Sequence, residues 1–238
     1  MRTDEDITAL QPDGDQLGRF VRSVFRHATP GTIVSLRAFP PEAGKRPIFI
    51  RPFEVESDSL DGIVTGAFFG ARDAAKEVGA VFAPPVASFK DHRSASAANL
   101  AEGLAISVEC DERAQAARVI LTAILGPPTL VNASGGIWRN PETGQPEDKL
   151  HLYWRLAVPA RDVEGFAKLK KALKLATGIV GADTSNTTIV HPLRWPGSWH
   201  LKAAPRLSRI VEENDCEVDL DEALRLLRAA SLPFRVTQ

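Results

Sequence analysis

Residues 150–156 read Leu-His-Leu-Tyr-Trp-Arg-Leu, and this strict alternation demands a β-strand. Successive side chains of a strand point to opposite faces. Leu150, Leu152, Trp154 and Leu156 then form an apolar face, and His151, Tyr153 and Arg155 a polar one that is ordinarily solvent-exposed. Upstream, LAISVE (104–109) is a second β-prone run, and TLVNAS (129–134) is a third, joined to the His151 strand through the polar turn GGIWRNPETGQPEDK.

Earlier in the chain, TIVSLRAF from Thr32 and PIFIRPFEV flank the turn PPEAGKR as a hairpin. VFAPPVASF is a short strand running into a proline-stiffened loop, and residues 91–101 read as a loop. Helical spacing puts Leu17, Phe20, Val21, Val24 and Phe25 on one face. Further helices are expected over 58–80, weakened by Gly62, Gly66 and Gly70, over 112–125, over 161–178 with Gly178 as C-cap, and at DLDEALRLLRAA. In the last, Asp219 and Glu222 have capping-box spacing. Helices interleave with strands, yet consecutive strands pair as hairpins, so the fold class expected is α+β. Neither GxGxxG nor GxxxxGK[ST] occurs, which removes support for the two commonest nucleotide folds.

Composition narrows the function classes less. A length of 238 residues allows one large domain or two small ones, and the net charge of -1 advertises no global attraction to nucleic acid. A local basic groove is compatible with that total. Two cysteines, Cys110 and Cys216, make no disulfide framework, and with a polar, acidic start to the chain they fit a cytoplasmic protein. No run is long enough to span a bilayer. The histidines and cysteines do not cluster at zinc spacing, and no GxSxG elbow is present.

The chemistry-bearing residues fall in three places. In AISVECDE a strand ends on Glu109 and Asp111, whose spacing puts both carboxylates on one face. Two such carboxylates repel unless a cation compensates, and Mg²⁺ or Mn²⁺ does so with oxygen ligands. Asp111 could equally cap the helix that follows. Cys110 points the other way, as a small core hydrophobe. His151 faces the Ser134-Gly135-Gly136 turn, where backbone amides and an imidazole can hold a phosphate. Finally, HPLRWPGSWHLK (191–202) concentrates Arg194, His200 and Lys202 among prolines and tryptophans. Trp195 and Trp199 could stack on bases beside His200, or anchor the loop in the core.

In order and spacing these motifs resemble the archaeo-eukaryotic primase-polymerase superfamily, in particular the plasmid RepB-like primase domain. Over roughly residues 30–205 the chain carries VFAPP at 81–85, the pair Glu109-Cys110-Asp111, LGPPTLVNASGG at 125–136, His151 in KLHLYWRL, GAD at 181–183 and RWPGSWHLK at 194–202. The resemblance implies a primase-polymerase catalytic core with an RRM-like antiparallel sheet flanked by helices. Residues 1–30 would be an N-terminal helical segment of the same domain, and 206–238 a C-terminal helical extension.

It further implies a primase/polymerase acting in plasmid, phage or mobile-element replication. Short primers would be made from nucleoside triphosphates on a single-stranded DNA template, with Mg²⁺ or Mn²⁺ held by Glu109, Asp111 and Asp183. Ser134, Gly135, His151, Arg194 and Lys202 would bind nucleotide, and Trp195, Trp199 and His200 nucleic acid. Unwinding would come from a replicative helicase, separate or in a larger polypeptide. Glu109 stands where the family usually has aspartate, Thr188 where a second aspartate commonly precedes the arginines, and His191 where an arginine is expected. The connection from Gly136 to Lys149 is longer than usual. These departures keep open a catalytically inactive single-stranded DNA or origin-binding module. Paired acids also suit another metal-dependent phosphotransferase or nuclease.

Overall fold

The structure, a computed structural model, describes residues 10–42, 44–184 and 187–232. In chain order its elements are α1 (Gly14–Val24), β1 (Ile33–Phe39), β2 (Phe49–Glu54), α2 (Asp61–Lys76), β3 (Val81–Phe82), β4 (Ala87–Phe89), β5 (Leu100–Cys110), α3 (Ala114–Leu125), β6 (Leu130–Arg139), β7 (Pro146–Ala160), α4 (Val163–Ile179), β8 (Trp199–His200), β9 (Arg206–Leu207), β10 (Arg209–Glu213) and α5 (Leu220–Ala230). The result is an α+β fold built on one antiparallel sheet of order β10-β6-β7-β5-β4-β1-β2, with β3 pairing with β1 off that path. Among the described residues no helix is long and apolar enough to cross a membrane.

Each face of the sheet carries its own core. On one, α1 and α2 pack Leu17, Phe20, Val24, Ile63 and Ala67 against Val34, Leu36, Leu130 and Tyr153. On the other, α3, α4 and α5 pack Leu121, Leu169, Leu173 and Leu224 against Ile106, Val108, Leu152 and Trp154. The apolar face expected for the strand at 150–156 is therefore buried. Its polar face is buried too, since Tyr153 and Arg155 are 0% and 1% exposed beneath α1. Arg155 survives there because its fork donates to Ser23 O, Glu217 Oε1 and Asp215 Oδ1. A buried guanidinium is tolerated when its donors are satisfied.

The strands run further than hydropathy alone suggests. The stretch 135–139, expected as turn, continues β6, and β7 begins at Pro146. Gly66 is not merely a weak point of α2: a Cβ there would lie 2.2 Å from the Phe53 ring, so the missing side chain permits close helix-on-sheet packing. Helix α4 passes through Gly178, and the left-handed glycine after it is Gly181 at φ +69°. Asp219 caps α5 as expected, accepting from Glu222 N at 2.8 Å. The segment from 206 onward is more than helical, because β10 joins the sheet edge beside β6. Residues 1–9 and 233–238 of the two terminal segments lie outside the described residues.

Candidate active site

The antiparallel register of β5, β7 and β6 sets Glu109 opposite His151, and His151 opposite Asn132. Directly opposed residues share a face, so one row across three strands brings carboxylate, imidazole and amide together. The register then breaks. Ala133 pairs with Leu150 and Ile137 with Asp148, leaving Ser134, Gly135 and Gly136 opposite Lys149 alone. This bulge turns the backbone toward the cleft. Gly135 has φ +81°, and a Cβ on it would meet His200 Cβ at 2.7 Å. Both the backbone angle and the space select glycine.

The cleft, of about 440 Å³, is lined by Glu109, Asp111, Ser134, Gly135, His151, Arg194, His200 and Lys202, residues expected from the sequence. Lys149 and Arg206 line it as well. Lys149 precedes His151 by two on the same strand, so strand parity signals it once β7 is known to begin before Leu150. Arg206 carries no such signal; it arrives because β9 pairs with β8.

Glu109 is half-buried, with His151 Nε2 at 3.7 Å from one oxygen and His191 Nε2 at 3.3 Å from the other. Burial alone would raise its pKa, but the neighbouring His151 and His191 imidazoles, the latter within hydrogen-bond distance, outweigh burial and hold the carboxyl well below the usual range. Asp111 does not cap α3. The N-cap is Arg113, a left-handed residue at φ 48° without a side-chain cap. Asp111 stays 57% exposed over the cleft, 3.2 Å from Lys149 Nζ. Cys110 points into the core between them, and burial raises its thiol to about 12.

Arg194 is buried to 9% exposure, donates to Ser134 O at 2.9 Å, and leaves its Nε without a partner. Burial lowers its pKa to about 10 against the pull of Glu109 and Asp111, which still leaves a cation at neutral pH. For His200, burial together with Arg194 and Lys202 lowers the pKa from 6.5 to about 4. The imidazole is thus neutral at pH 7. Because the unfolded chain takes up this proton first, stability is unaffected above 6.5 and is lost as pH falls from 6.5 toward about 4. In His200→Gln the fall in melting temperature across that window is expected to be shallower than in the wild type.

Two expectations meet a different arrangement. Asp183 does not line the cleft itself. It lines a separate pocket of about 20 Å³ with Ser107, Thr188 and His191, and Glu109 is the one residue common to both. Among the described residues no three His, Cys, Asp or Glu side chains stand close enough to hold a metal by themselves. Trp195 offers no face to a base, being fully buried with its ring 4.9 Å from Phe20, 5.5 Å from Phe25 and 5.7 Å from Phe82. Its Nε1 donates to Pro84 O, and Trp199 Nε1 to Gln11 O. Both tryptophans tie the 191–202 segment down.

Three solved structures share this arrangement of elements. The AEP domain of the cyanophage S-2L primase-polymerase (PrimPol) aligns with a TM-score of 0.61 at 18% identity, covering 92% of this chain and 100% of that one. The chain has the primase-polymerase fold. The catalytic domain of primase RepB′ in complex with initiator DNA has the same primase-polymerase fold at a TM-score of 0.59 and 13% identity, over 91% of this chain and 92% of that one. A further primase RepB′ structure gives 0.58 and 13%, over 91% and 61%. No family model and no curated protein matches the sequence. With identities this low, the primase-polymerase likeness is one of architecture, and the chemistry has to be argued from the cleft.

Proposed function

We propose that the protein is a metal-dependent nucleotidyltransferase that makes short primers from nucleoside triphosphates on single-stranded DNA. One observation carries the reading: two carboxylates, Glu109 and Asp111, face three cations, Lys149, Arg194 and Lys202, across one cleft of a primase-polymerase fold. The names of its structural neighbours, a phage primase-polymerase and a primase bound to initiator DNA, agree with it.

Mg²⁺ or Mn²⁺ fits this cleft as a partner of two carboxylates plus substrate phosphates, the usual arrangement for such ions at triphosphates. Glu109 remains ionised despite its burial, and Asp111 already holds a cationic group, Lys149 Nζ, at 3.2 Å. The ions would neutralise phosphate charge and lower the pKa of an attacking hydroxyl. The protein's own groups do the rest. Arg194, anchored on Ser134 O, lines the cleft as a fixed cation for the triphosphate, and Lys202 and Arg206 add further charge. His151 holds Glu109 in place across the strand pair and faces the phosphates. The 3′-hydroxyl gives up its proton to water and forms its bond to the α-phosphorus as the bond to the bridging oxygen breaks, and pyrophosphate leaves. Such backbone-directed cations give affinity and salt dependence, without sequence readout. Template unwinding falls to a helicase, separate or in a larger polypeptide.

Lys149 supplies a test with two signs. In Lys149→Gln, Mn²⁺ alone should bind more tightly, because the cation competing for Asp111 is gone. The triphosphate should bind about threefold to tenfold more weakly, because a phosphate partner is gone. Mn²⁺ titration by electron paramagnetic resonance and binding of a fluorescent triphosphate read the two effects. Shifts of the same sign would count against this role. The reading as a whole is tested by incubating unprimed single-stranded DNA with nucleoside triphosphates and Mg²⁺ or Mn²⁺.

A second reading, a DNA-binding module without chemistry, is favoured by Asp183 lining a side pocket shared with Glu109 and not the cleft itself. It predicts template binding with no incorporation.

A further inference from the structure

One face of the β3-β1-β2 region is partly uncovered where it runs out of the cleft. The register sets Arg37 opposite Ile50, Ala38 opposite Phe49, and Phe39 opposite Val81. Leu36 and Ala38 belong to the core under α2, so Arg37, Phe39, Ile50 and Val81 point to the other side of the sheet. At the Ile33 end this other side is closed. Ile33 and Phe89 pack there against Phe166, Ile189 and Val190. The cover stops at Arg37. Beyond it Ile48 and Ile50 are 43% and 51% exposed. Val81 and Ala83, beside Phe39 and Arg37, are themselves walls of the active-site cleft. The shelf is thus continuous with the cleft.

Arg37 marks what the shelf is for. Its guanidinium lies 5.9 Å from the Phe89 ring centroid, and its Nε and Nη2 are buried without a hydrogen-bond partner. None of the ion pairs among the described residues involves it, and burial lowers its pKa to about 10. A half-buried cation without a counter-ion is costly and awaits an anion. Lys45 and Arg46 add positive charge in the exposed turn leading to Ile48. Apolar side chains beside cations suit a chain of flat bases on a phosphate backbone.

Resting on the proposed polymerase reading, we propose that this shelf is the track of the single-stranded template: bases lie on Phe39, Ile48 and Ile50, and Arg37 holds a phosphate. A strand lying there enters the cleft past Val81 and Ala83, toward Glu109 and Asp111.

The test is a charge series at Ile50, which is exposed enough to be changed without disturbing the core. Binding of fluorescein-labelled oligothymidylate is followed by anisotropy at low and moderate salt. Ile50→Glu should weaken it about fivefold or more and Ile50→Lys should tighten it, with both effects shrinking as salt rises. The same two changes at Val119, which is 69% exposed on α3, should do neither. Arg37→Gln should weaken DNA binding while a fluorescent triphosphate binds as before. Wild-type affinity in both Ile50 variants, shifts at Val119 as large as those at Ile50, or no DNA binding by the unmodified protein would each overturn the track. If the Ile50 series behaves as expected but no nucleotide is incorporated, the track stands and the polymerase reading fails.

Discussion

Asp111→Asn is expected to abolish primer synthesis while leaving the fold intact. Asn keeps the size of the side chain and removes the charge that would hold a cation against the triphosphate. Metal-borne stabilisation of a phosphoryl transition state amounts to several kcal/mol, so a loss of about 10³-fold or more in rate is expected. Stability should barely move. Asp111 is 57% exposed and its ion-pair partner is Lys149 at 3.2 Å. An exposed pair of this kind contributes about 0–1 kcal/mol. Thermal unfolding of the variant alongside a primer assay separates the two effects. Full activity in Asp111→Asn would remove the residue from the chemistry.

Trp195→Ala should do the reverse, destabilising the protein first and silencing the cleft as a consequence. The indole is fully buried among Phe20, Phe25 and Phe82 and donates to Pro84 O at 3.0 Å. Truncating a buried tryptophan costs about 3–5 kcal/mol. For a chain of this size that is a fall of about 10 °C in melting temperature. Arg194 precedes Trp195 directly, and Asn132 Nδ2 donates to the Arg194 carbonyl at 3.0 Å. Loosening the tryptophan therefore loosens the cation proposed to face the triphosphate. Trp195→Phe should recover most of the stability. A normal melting temperature in Trp195→Ala, with a selective loss of DNA affinity, would reinstate the ring as a base-stacking surface.

The parts of the site legible in the sequence are those governed by strand parity. Glu109 and Asp111 two apart, and His151 in an alternating run, give their own directions once the strands are recognised. The Ser134-Gly135-Gly136 stretch was legible as a place where backbone amides could face an anion, but it read as a turn; that it is a bulge inside a strand continuing to Arg139 was not visible. What was not legible depends on long-range packing. Whether Asp111 caps α3 or faces the cleft turns on the backbone at Arg113, and a left-handed arginine has no sequence signature. The polar face of β7 read as solvent-exposed because nothing local says that α1 lies over Tyr153. Asp183 lies within a segment without periodicity, so its place in a side pocket shared with Glu109 could not be derived. The same holds for β10, whose place at the sheet edge is set by pairing with β6 from some 80 residues earlier.

The measurement closest to the central claim is incorporation of α-phosphate-labelled nucleotide on an unprimed single-stranded DNA template. With Mg²⁺ or Mn²⁺, the wild-type protein should yield short labelled oligonucleotides and release pyrophosphate, and Asp111→Asn should yield neither. A wild-type protein that binds the template and the triphosphate yet transfers no label with either ion would contradict the account.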